Sequence, residues 1–170
     1  MTGSMEIGDD EAGFDDFVAG RSGALMRTAY LLTSDHHLAQ DLLQAALLQA
    51  AKHWDRIHTS PEAFVRRTMY HQNISWWRRR KVVETPLMSH DGAGSPTDTD
   101  LRLSLEVALA RLTPKQRTVL VLRFYEDLTE VQTAAALGIS AGTVKSTTRQ
   151  ALGRLRALAP DLAELIGADA

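Results

Sequence analysis

The stretch Thr129-Glu-Val-Gln-Thr-Ala-Ala-Ala-Leu-Gly-Ile-Ser-Ala-Gly-Thr-Val-Lys-Ser146 decides the fold of this chain. Thr129 followed three residues later by Gln132 is a capping box, which predicts the start of a short helix. Gly138 can adopt the left-handed conformation that ends this helix, and Ser140 can cap a second, longer helix. Two helices joined by so short a turn indicate a helix-turn-helix motif, although an ordinary helical hairpin with a polar face is an alternative.

The second helix of this motif, predicted to end near Leu158, has two chemically different faces. Its inward stripe consists of Val144, Thr148, Ala151, Leu152 and Leu155. The opposite face consists of Gly142, Thr143, Lys145, Ser146, Arg149 and Gln150. Hydroxyl, amide and cationic groups near a helix N-terminus suit contacts with base edges and phosphates in a major groove, so the pattern predicts DNA binding.

Helical signals extend upstream from this motif to the N-terminal part of the chain. Thr113-Pro114-Lys115-Gln116 is another capping box, with proline at the first helical position. Three earlier helices are predicted: from Phe14 to Leu32, from a cap at Ser34 through His53, and from Ser60-Pro61 into the cluster Arg78–Lys81. No segment alternates with the two-residue period of a half-buried strand, so we expect an all-α fold.

Periodicity disappears between residues 84 and 100, where turn-forming residues replace large apolar ones. This stretch is expected to be a flexible linker between two small helical domains, an N-terminal helical bundle and the helix-turn-helix domain. The predicted division is a disordered acidic N-terminus at 1–11, the first domain at 12–83, the linker at 84–100, the second domain at 101–159 and a tail at 160–170.

Charge is distributed unevenly although the net charge is only −2. Residues 61–82 carry a net +5 and residues 114–159 a net +4, while the segments before, between and after them are acidic. Two basic blocks in an acidic chain are typical of two separate polyanion contacts, although two solvated helix faces would give the same pattern.

Several classes of protein are disfavoured by the composition. The chain has no cysteine, so it has no disulfide framework and no thiolate metal site. It contains no apolar run of about 18 residues and no secretion signal at its N-terminus, so we expect a cytoplasmic protein without membrane insertion. The six histidines are scattered, and no phosphate loop, serine elbow or carboxylate pair is apparent. We therefore expect no enzyme activity, no catalytic residue, no metal and no cofactor.

Four ordered segments resemble one protein family, the extracytoplasmic-function sigma factors of bacteria, in the style of their actinobacterial branch. The stretch 112–130, together with 134–138 and 143–146, resembles their C-terminal promoter-reading domain. Residues 39–44 and 52–57 resemble the polymerase-binding helix, and residues 61–67 with 75–80 resemble the promoter-melting helix. The resemblance covers roughly residues 12–158, on both sides of the expected linker.

The resemblance implies a transcription initiation factor that binds core RNA polymerase and promoter DNA and that is restrained by an anti-sigma factor. Contact with polymerase is implied for Asp41, Gln44, Leu48 and Lys52. Recognition and melting of the −10 element are implied for Arg66, Arg67, His71, Trp76, Trp77, Arg78, Arg79, Arg80 and Lys81. Recognition of the −35 element is implied for the polar face of the last helix. Because adjacent helical residues point about 100° apart, we expect at most one of the two tryptophans to face DNA.

The chain departs from the family pattern at three places. His71 stands where many members have asparagine, which implies a different −10 preference. Ala45 and Ala46 replace acidic and hydroxyl residues, which implies weaker polymerase binding. Thr147 and Gln150 replace arginines in the recognition helix, so the −35 sequence is expected to differ.

Two other functions fit part of the sequence. A helix-turn-helix regulator would share residues 112–158 and would carry an N-terminal bundle that dimerises or senses a ligand. An interaction protein that keeps the sigma shape but binds only an inhibitor would be compatible with the alanines at 45 and 46.

Overall fold

The computed structural model describes residues 6–80 and 98–160, with side chains described for 13–79 and 102–160. Every regular element in those ranges is helical, which confirms the all-α prediction. The helices are α1 (Glu6–Thr33), α2 (His36–Lys52), α3 (Pro61–Arg80), α4 (Asp98–Ala110), α5 (Pro114–Leu120), α6 (Glu130–Leu137) and α7 (Ala141–Leu158). A 3-10 turn, Trp54–Arg56, lies between α2 and α3, and a π-helical turn, Val121–Tyr125, follows α5. Among the residues described, no helix is long and apolar enough to cross a membrane.

The chain forms two compact units, an N-terminal unit of residues 1–73 and a C-terminal unit of residues 74–170. The division falls inside α3, ten residues before the boundary predicted after residue 83. Most of the predicted linker and tail, residues 84–97 and 161–170, lies outside the described residues, as do residues 81–83. Residues 98–100, predicted to end the linker, already belong to α4.

Helix α1 begins at Glu6, earlier than the periodicity of its apolar residues indicated. The prediction of a disordered segment is therefore wrong for residues 6–11. In the sequence, acidic residues at 6, 9 and 10 favour the start of a helix, because a helix N-terminus carries the positive end of the helix dipole. An apolar stripe is not needed for such a first turn.

The corner between α1 and α2 differs from the prediction by one residue. Ser34 was expected to cap α2, but its backbone is left-handed, with φ of 55°, and its N–H donates to the Tyr30 carbonyl at 2.7 Å. It therefore ends α1. Asp35 caps α2 instead, because its carboxylate accepts a hydrogen bond from the Leu38 N–H at 2.9 Å.

The core of the N-terminal unit consists of apolar residues from α1, α2 and α3. The fully buried ones are Leu25, Ala29, Leu32, Ala39, Leu42, Ala46, Ala50, Val65 and Met69. The 3-10 turn joins this unit through Trp54, whose ring packs against Phe14 and Phe17 of α1 with centroid distances of 5.2 and 5.5 Å. The turn that leads into α3 is thus anchored on the first half of α1.

In the C-terminal unit the predicted capping chemistry is present. Thr113 and Thr129 each form a complete capping box, with Gln116 and Gln132 respectively. These reciprocal bonds satisfy backbone N–H groups that have no partner within the helix.

Arg117 is a buried cation that ties α5 to the end of α4. Its guanidinium donates to the Leu109 carbonyl at 3.1 Å and to the Ala110 carbonyl at 3.4 Å. Burial lowers the pKa of Arg117 to about 10, so the group is still charged at neutral pH. A cation at this place satisfies carbonyls at the negative end of the α4 dipole.

The helix that starts at Pro114 is α-helical only as far as Leu120. After Leu120 it widens into the π-helical turn, where the Glu126 N–H donates to the Val121 carbonyl at 2.9 Å. Leu122 is fully buried in this turn, whereas Phe124 is 62% exposed. An extra residue in the turn lets Leu122 stay in the core while the chain redirects toward α6.

Candidate nucleic-acid interface

The helix-turn-helix has the turn geometry that its sequence predicts. Gly138 ends α6 in the left-handed conformation, with φ of 66°. The following N–H, of Ile139, donates to the Ala134 carbonyl at 3.1 Å. Ser140 then caps α7, since its Oγ accepts a hydrogen bond from the Thr143 N–H at 3.1 Å.

The polar face of α7 is open to solvent. Its exposed members are Gly142, Lys145, Ser146, Arg149 and Gln150. Thr143 is half-buried, and its Oγ1 lies 2.8 Å from the Ser140 Oγ in a hydrogen bond at the helix start. The predicted recognition residues therefore share the first three turns of one helix, next to the positive end of its dipole.

The buried side of α7 includes a residue that the sequence analysis assigned to neither face. Val144, Ala151 and Leu155 are buried as predicted, but Thr147 is also buried, with 6% of its surface exposed. Thr147 is therefore packed in the unit, and any effect of this difference from the family pattern on −35 preference would be indirect. The three-residue step from Val144 to Thr147 keeps both on the buried side.

Two further cations on α7 were missed by the sequence reasoning. Arg154 and Arg156 are both exposed. Arg156 lies seven residues after Arg149, so the two share a face of the helix. The seven-residue spacing is present in the sequence, but the prediction considered only the residues near the start of the helix.

Helix α3 presents a second basic face. Arg67, His71 and Arg78 are exposed, and their spacing of four and seven residues puts them on one side of the helix. Arg79 is also exposed. The side chain of Arg80 and the whole of Lys81 lie outside the described residues.

Arg66, by contrast, is turned into the N-terminal unit. Its Nε and one terminal nitrogen donate to the Glu62 carboxylate at 3.2 and 2.8 Å, and its other terminal nitrogen donates to the Thr28 hydroxyl at 2.8 Å. The prediction grouped Arg66 with Arg67 as a phosphate contact. The structure separates the two side chains, because consecutive helical residues point about 100° apart.

The two tryptophans of α3 differ in exposure. Trp76 is half-buried, and Trp77 is 38% exposed. Trp77 is therefore the ring with more free surface for stacking on a base.

Helix α2 carries the predicted polymerase-binding residues on its outer side. Asp41, Gln44, Leu48 and Lys52 are all exposed. Leu48 is 55% exposed, so it is not the core residue that its apolar side chain could suggest. Ala46 is fully buried, and its difference from the family pattern therefore cannot act through direct contact with a partner.

Among the described residues, no group of three or more histidine, aspartate or glutamate side chains could hold a metal ion. The chemistry available on α2, α3 and α7 is that of hydrogen bonding, charge and aromatic stacking. Such groups suit binding of polyanions and of protein surfaces.

Comparison with family models places two segments of the chain. Residues 18–82 match Sigma-70 region 2, and residues 108–157 match Sigma-70, region 4. The first match contains α2 and α3, and the second contains the helix-turn-helix.

Two relatives and one solved structure extend this comparison. The RNA polymerase sigma-E factor of Streptomyces avermitilis is 44% identical over 148 residues, which cover 84% of this chain and 83% of that protein. The ECF RNA polymerase sigma factor SigL of Mycobacterium tuberculosis is 31% identical over 145 residues, covering 79% and 82% of the two chains. The fold resembles that of RpoE from Bartonella quintana, solved in complex with the anti-sigma factor NepR, with a TM-score of 0.65, 24% identity and coverage of 93% and 99%.

Proposed function

This chain belongs to the sigma-70 family of RNA polymerase sigma factors, in its extracytoplasmic-function group, and from that membership we propose how its residues share the work of starting transcription. Members of this family bind core polymerase and direct promoter recognition, and the chain is such a factor. The alternative of a helix-turn-helix regulator with an unrelated N-terminal bundle is wrong, because residues 18–82 match region 2 of the same family.

We propose that the polar face of α7 reads the −35 element in the major groove. Lys145, Arg149 and Gln150 are exposed there and can donate to base edges and phosphates. Arg156, farther along the same face, is placed to add a phosphate contact.

The exposed face of α3 is proposed to hold the opening −10 region. Arg67 and Arg78 would neutralise phosphates, and His71 would lie between them on the same stripe. Trp77 would stack on an unpaired base, an interaction worth about 1–3 kcal/mol where it occurs. The predicted contacts of Arg79, Arg80 and Lys81 belong to the same proposal, whereas the half-buried Trp76 is the tryptophan that does not face DNA in it. The observation that carries both DNA assignments is that α3 and α7 each have an exposed basic face.

The outer face of α2 is proposed to bind core polymerase. Leu48 supports this most directly, because a leucine with more than half of its surface in water gains free energy when a partner covers it. Asp41, Gln44 and Lys52 surround it with polar groups, as at the rim of a protein interface.

An anti-sigma factor is proposed as a further partner. The structural relative from Bartonella quintana is bound to one, and coverage of the α2 or α7 face would prevent binding of polymerase or promoter. The interaction protein that binds only an inhibitor is a competing possibility, which activity with polymerase tests.

The deciding experiment measures binding of the chain to sigma-free bacterial core polymerase, with run-off transcription from promoters selected out of a random DNA library. We expect a stable complex and promoter-dependent transcripts. Replacement Leu48→Ala should weaken core binding by about tenfold, because it removes a side chain near the centre of the proposed interface.

Leu103→Ala is the matched control, since Leu103 of α4 is 53% exposed but lies outside the proposed face. Equal losses for both variants would remove the assignment of α2. A chain that binds an inhibitor but neither core polymerase nor promoter would support the competing possibility.

A further inference from the structure

We propose that Arg66 is a positioning residue of promoter opening, which sets the rotation of α3 through a buried contact with α1 and does not contact DNA. This inference rests on the proposed role of α3. It assigns to Arg66 a task different from that of its neighbour Arg67, although the two are adjacent and identical in the sequence.

The residues of α3 fall into two stripes. Glu62, Arg66, Met69 and Asn73 follow each other at intervals of four, three and four residues and are half-buried or buried. Arg67, His71 and Arg78 form the exposed stripe. A rotation of α3 about its axis would therefore move both stripes together.

The guanidinium of Arg66 is fully engaged inside the N-terminal unit. All three of its nitrogen atoms donate, two of them to Glu62 and the third to Thr28. Thr28 lies on α1 with none of its surface exposed. A phosphate contact would require Arg66 to leave the buried Thr28 hydroxyl and the half-buried Glu62 carboxylate, and each of these acceptors would lose a donor.

Charge leads to the same assignment. Glu62 lies 2.8 Å from Arg66 and 3.3 Å from Arg21, so its carboxylate partly neutralises the cation that a phosphate would otherwise attract. Neither Arg67 nor Arg78 has a carboxylate partner among the described ion pairs.

A second contact on the same stripe fixes the direction of α3. The Asn73 amide donates to the Leu32 carbonyl of α1 at 3.2 Å. Because Thr28 pairs with Arg66 and Leu32 with Asn73, the two helices run in the same direction. Two polar contacts separated by nearly two turns of α3 restrict both its rotation and its sliding along α1. The exposed stripe is oriented by this restriction.

The test uses the full chain assembled with core polymerase on a selected promoter that carries 2-aminopurine in the −10 element. Variants Arg66→Met, Thr28→Val and the matched control Arg67→Met are compared at a temperature at which circular dichroism shows each to be folded. Three quantities are measured: affinity for core polymerase, the salt dependence of promoter binding and the rate of opening.

Arg67→Met should reduce the slope of log affinity against log salt by about 0.7–0.9, the value expected for one lost phosphate contact. Arg66→Met should leave this slope and the affinity for core unchanged but slow opening by about tenfold. Thr28→Val should slow opening in the same direction by a few-fold, and the double variant should be no slower than Arg66→Met alone.

The proposal is overturned if Arg66→Met lowers the salt slope as much as Arg67→Met does, or if Thr28→Val opens the promoter at the wild-type rate. The second criterion decides the question even if Arg66→Met does not fold. A wild-type chain that opens no promoter would instead contradict the proposed function, whereas failure of this proposal leaves the wild type active.

Discussion

In the N-terminal unit, two hydrogen bonds join side chains of α3 to residues of α1 that are far away in the sequence, whereas the hydrogen bonds described for the capping boxes and for Arg117 in the C-terminal unit join near neighbours. Arg66 reaches Thr28 across 38 residues, and Asn73 reaches Leu32 across 41. In the C-terminal unit the capping boxes join residues three apart, and Arg117 reaches back only eight residues to Leu109.

This difference shows which contacts determine the helix arrangement in each unit. The C-terminal unit fixes the ends of short helices locally, and apolar packing then brings those helices together. The N-terminal unit consists of longer helices, and its buried polar contacts between α1 and α3 select how one helix faces another. A polar group that is buried without its partner is costly, so such contacts disfavour alternative rotations.

The largest expected effect concerns Arg117, the buried cation of the C-terminal unit. Arg117→Met should lower the free energy of unfolding by about 2–3 kcal/mol, because a charged hydrogen bond to the end of α4 is lost while the methionine fills most of the space. Hydrogen exchange measured by mass spectrometry should show the loss in α4 and α5. The control Arg111→Met, at an exposed position, should change stability by less than about 0.5 kcal/mol. Equal protection in both variants would mean that Arg117 does not hold α4.

The next effect concerns the long-range contact of the N-terminal unit. Asn73→Leu should lower the free energy of unfolding by about 1–2 kcal/mol, because the Leu32 carbonyl loses a donor in a buried place. Urea denaturation, monitored by tryptophan fluorescence, measures this loss of stability. Amide hydrogen exchange should increase at the end of α1. If exchange increases only within α3, the contact does not couple the two helices.

The smallest effect concerns glycines in the helix-turn-helix. Replacement by alanine is expected to change the free energy of unfolding in opposite directions at Gly138 and Gly153. Gly138→Ala should destabilise by about 1 kcal/mol, because alanine is strained at a φ of 66° even though no atom lies near its added carbon. Gly153→Ala, within α7 and also in open space, should stabilise by roughly 0.5–1 kcal/mol. Thermal unfolding distinguishes the two, and a loss of stability at both positions would indicate that space and not backbone conformation limits them.

The same difference explains how much of the molecule could be predicted from its sequence. Both capping boxes, the left-handed Gly138 and the cap at Ser140 were predicted, because each depends on residues within a few positions. Burial of Val144, Ala151 and Leu155 in α7 was also predicted, since helical periodicity is a local property, whereas Thr148 and Leu152 of the same predicted stripe are half-buried. The cap of α2 was placed one residue early, at Ser34, because serine and aspartate are both good caps and only the backbone conformation decides between them.

The candidate site was less accessible to sequence reasoning where it depends on tertiary contacts. Arg66 and Arg67 are indistinguishable in a charge pattern, and only the position of Thr28 on another helix separates them. Leu48 was predicted as a contact residue by resemblance, and its exposure could not be obtained from hydrophobicity alone. The buried role of Arg117 was missed because an arginine in a basic segment was counted only as positive charge.

The π-helical turn at Val121–Tyr125 has a consequence for the evolution of chain length. Its closing bond joins the carbonyl of Val121 to the N–H of Glu126, five positions on. Loss of any one residue between them would turn that bond into the four-position bond of an α-helix. The widened turn can therefore accommodate the deletion of one residue. The same deletion within α5 would rotate every following residue of the helix by about 100° about its axis. Relatives that are one residue shorter are expected to have their alignment gap at this turn.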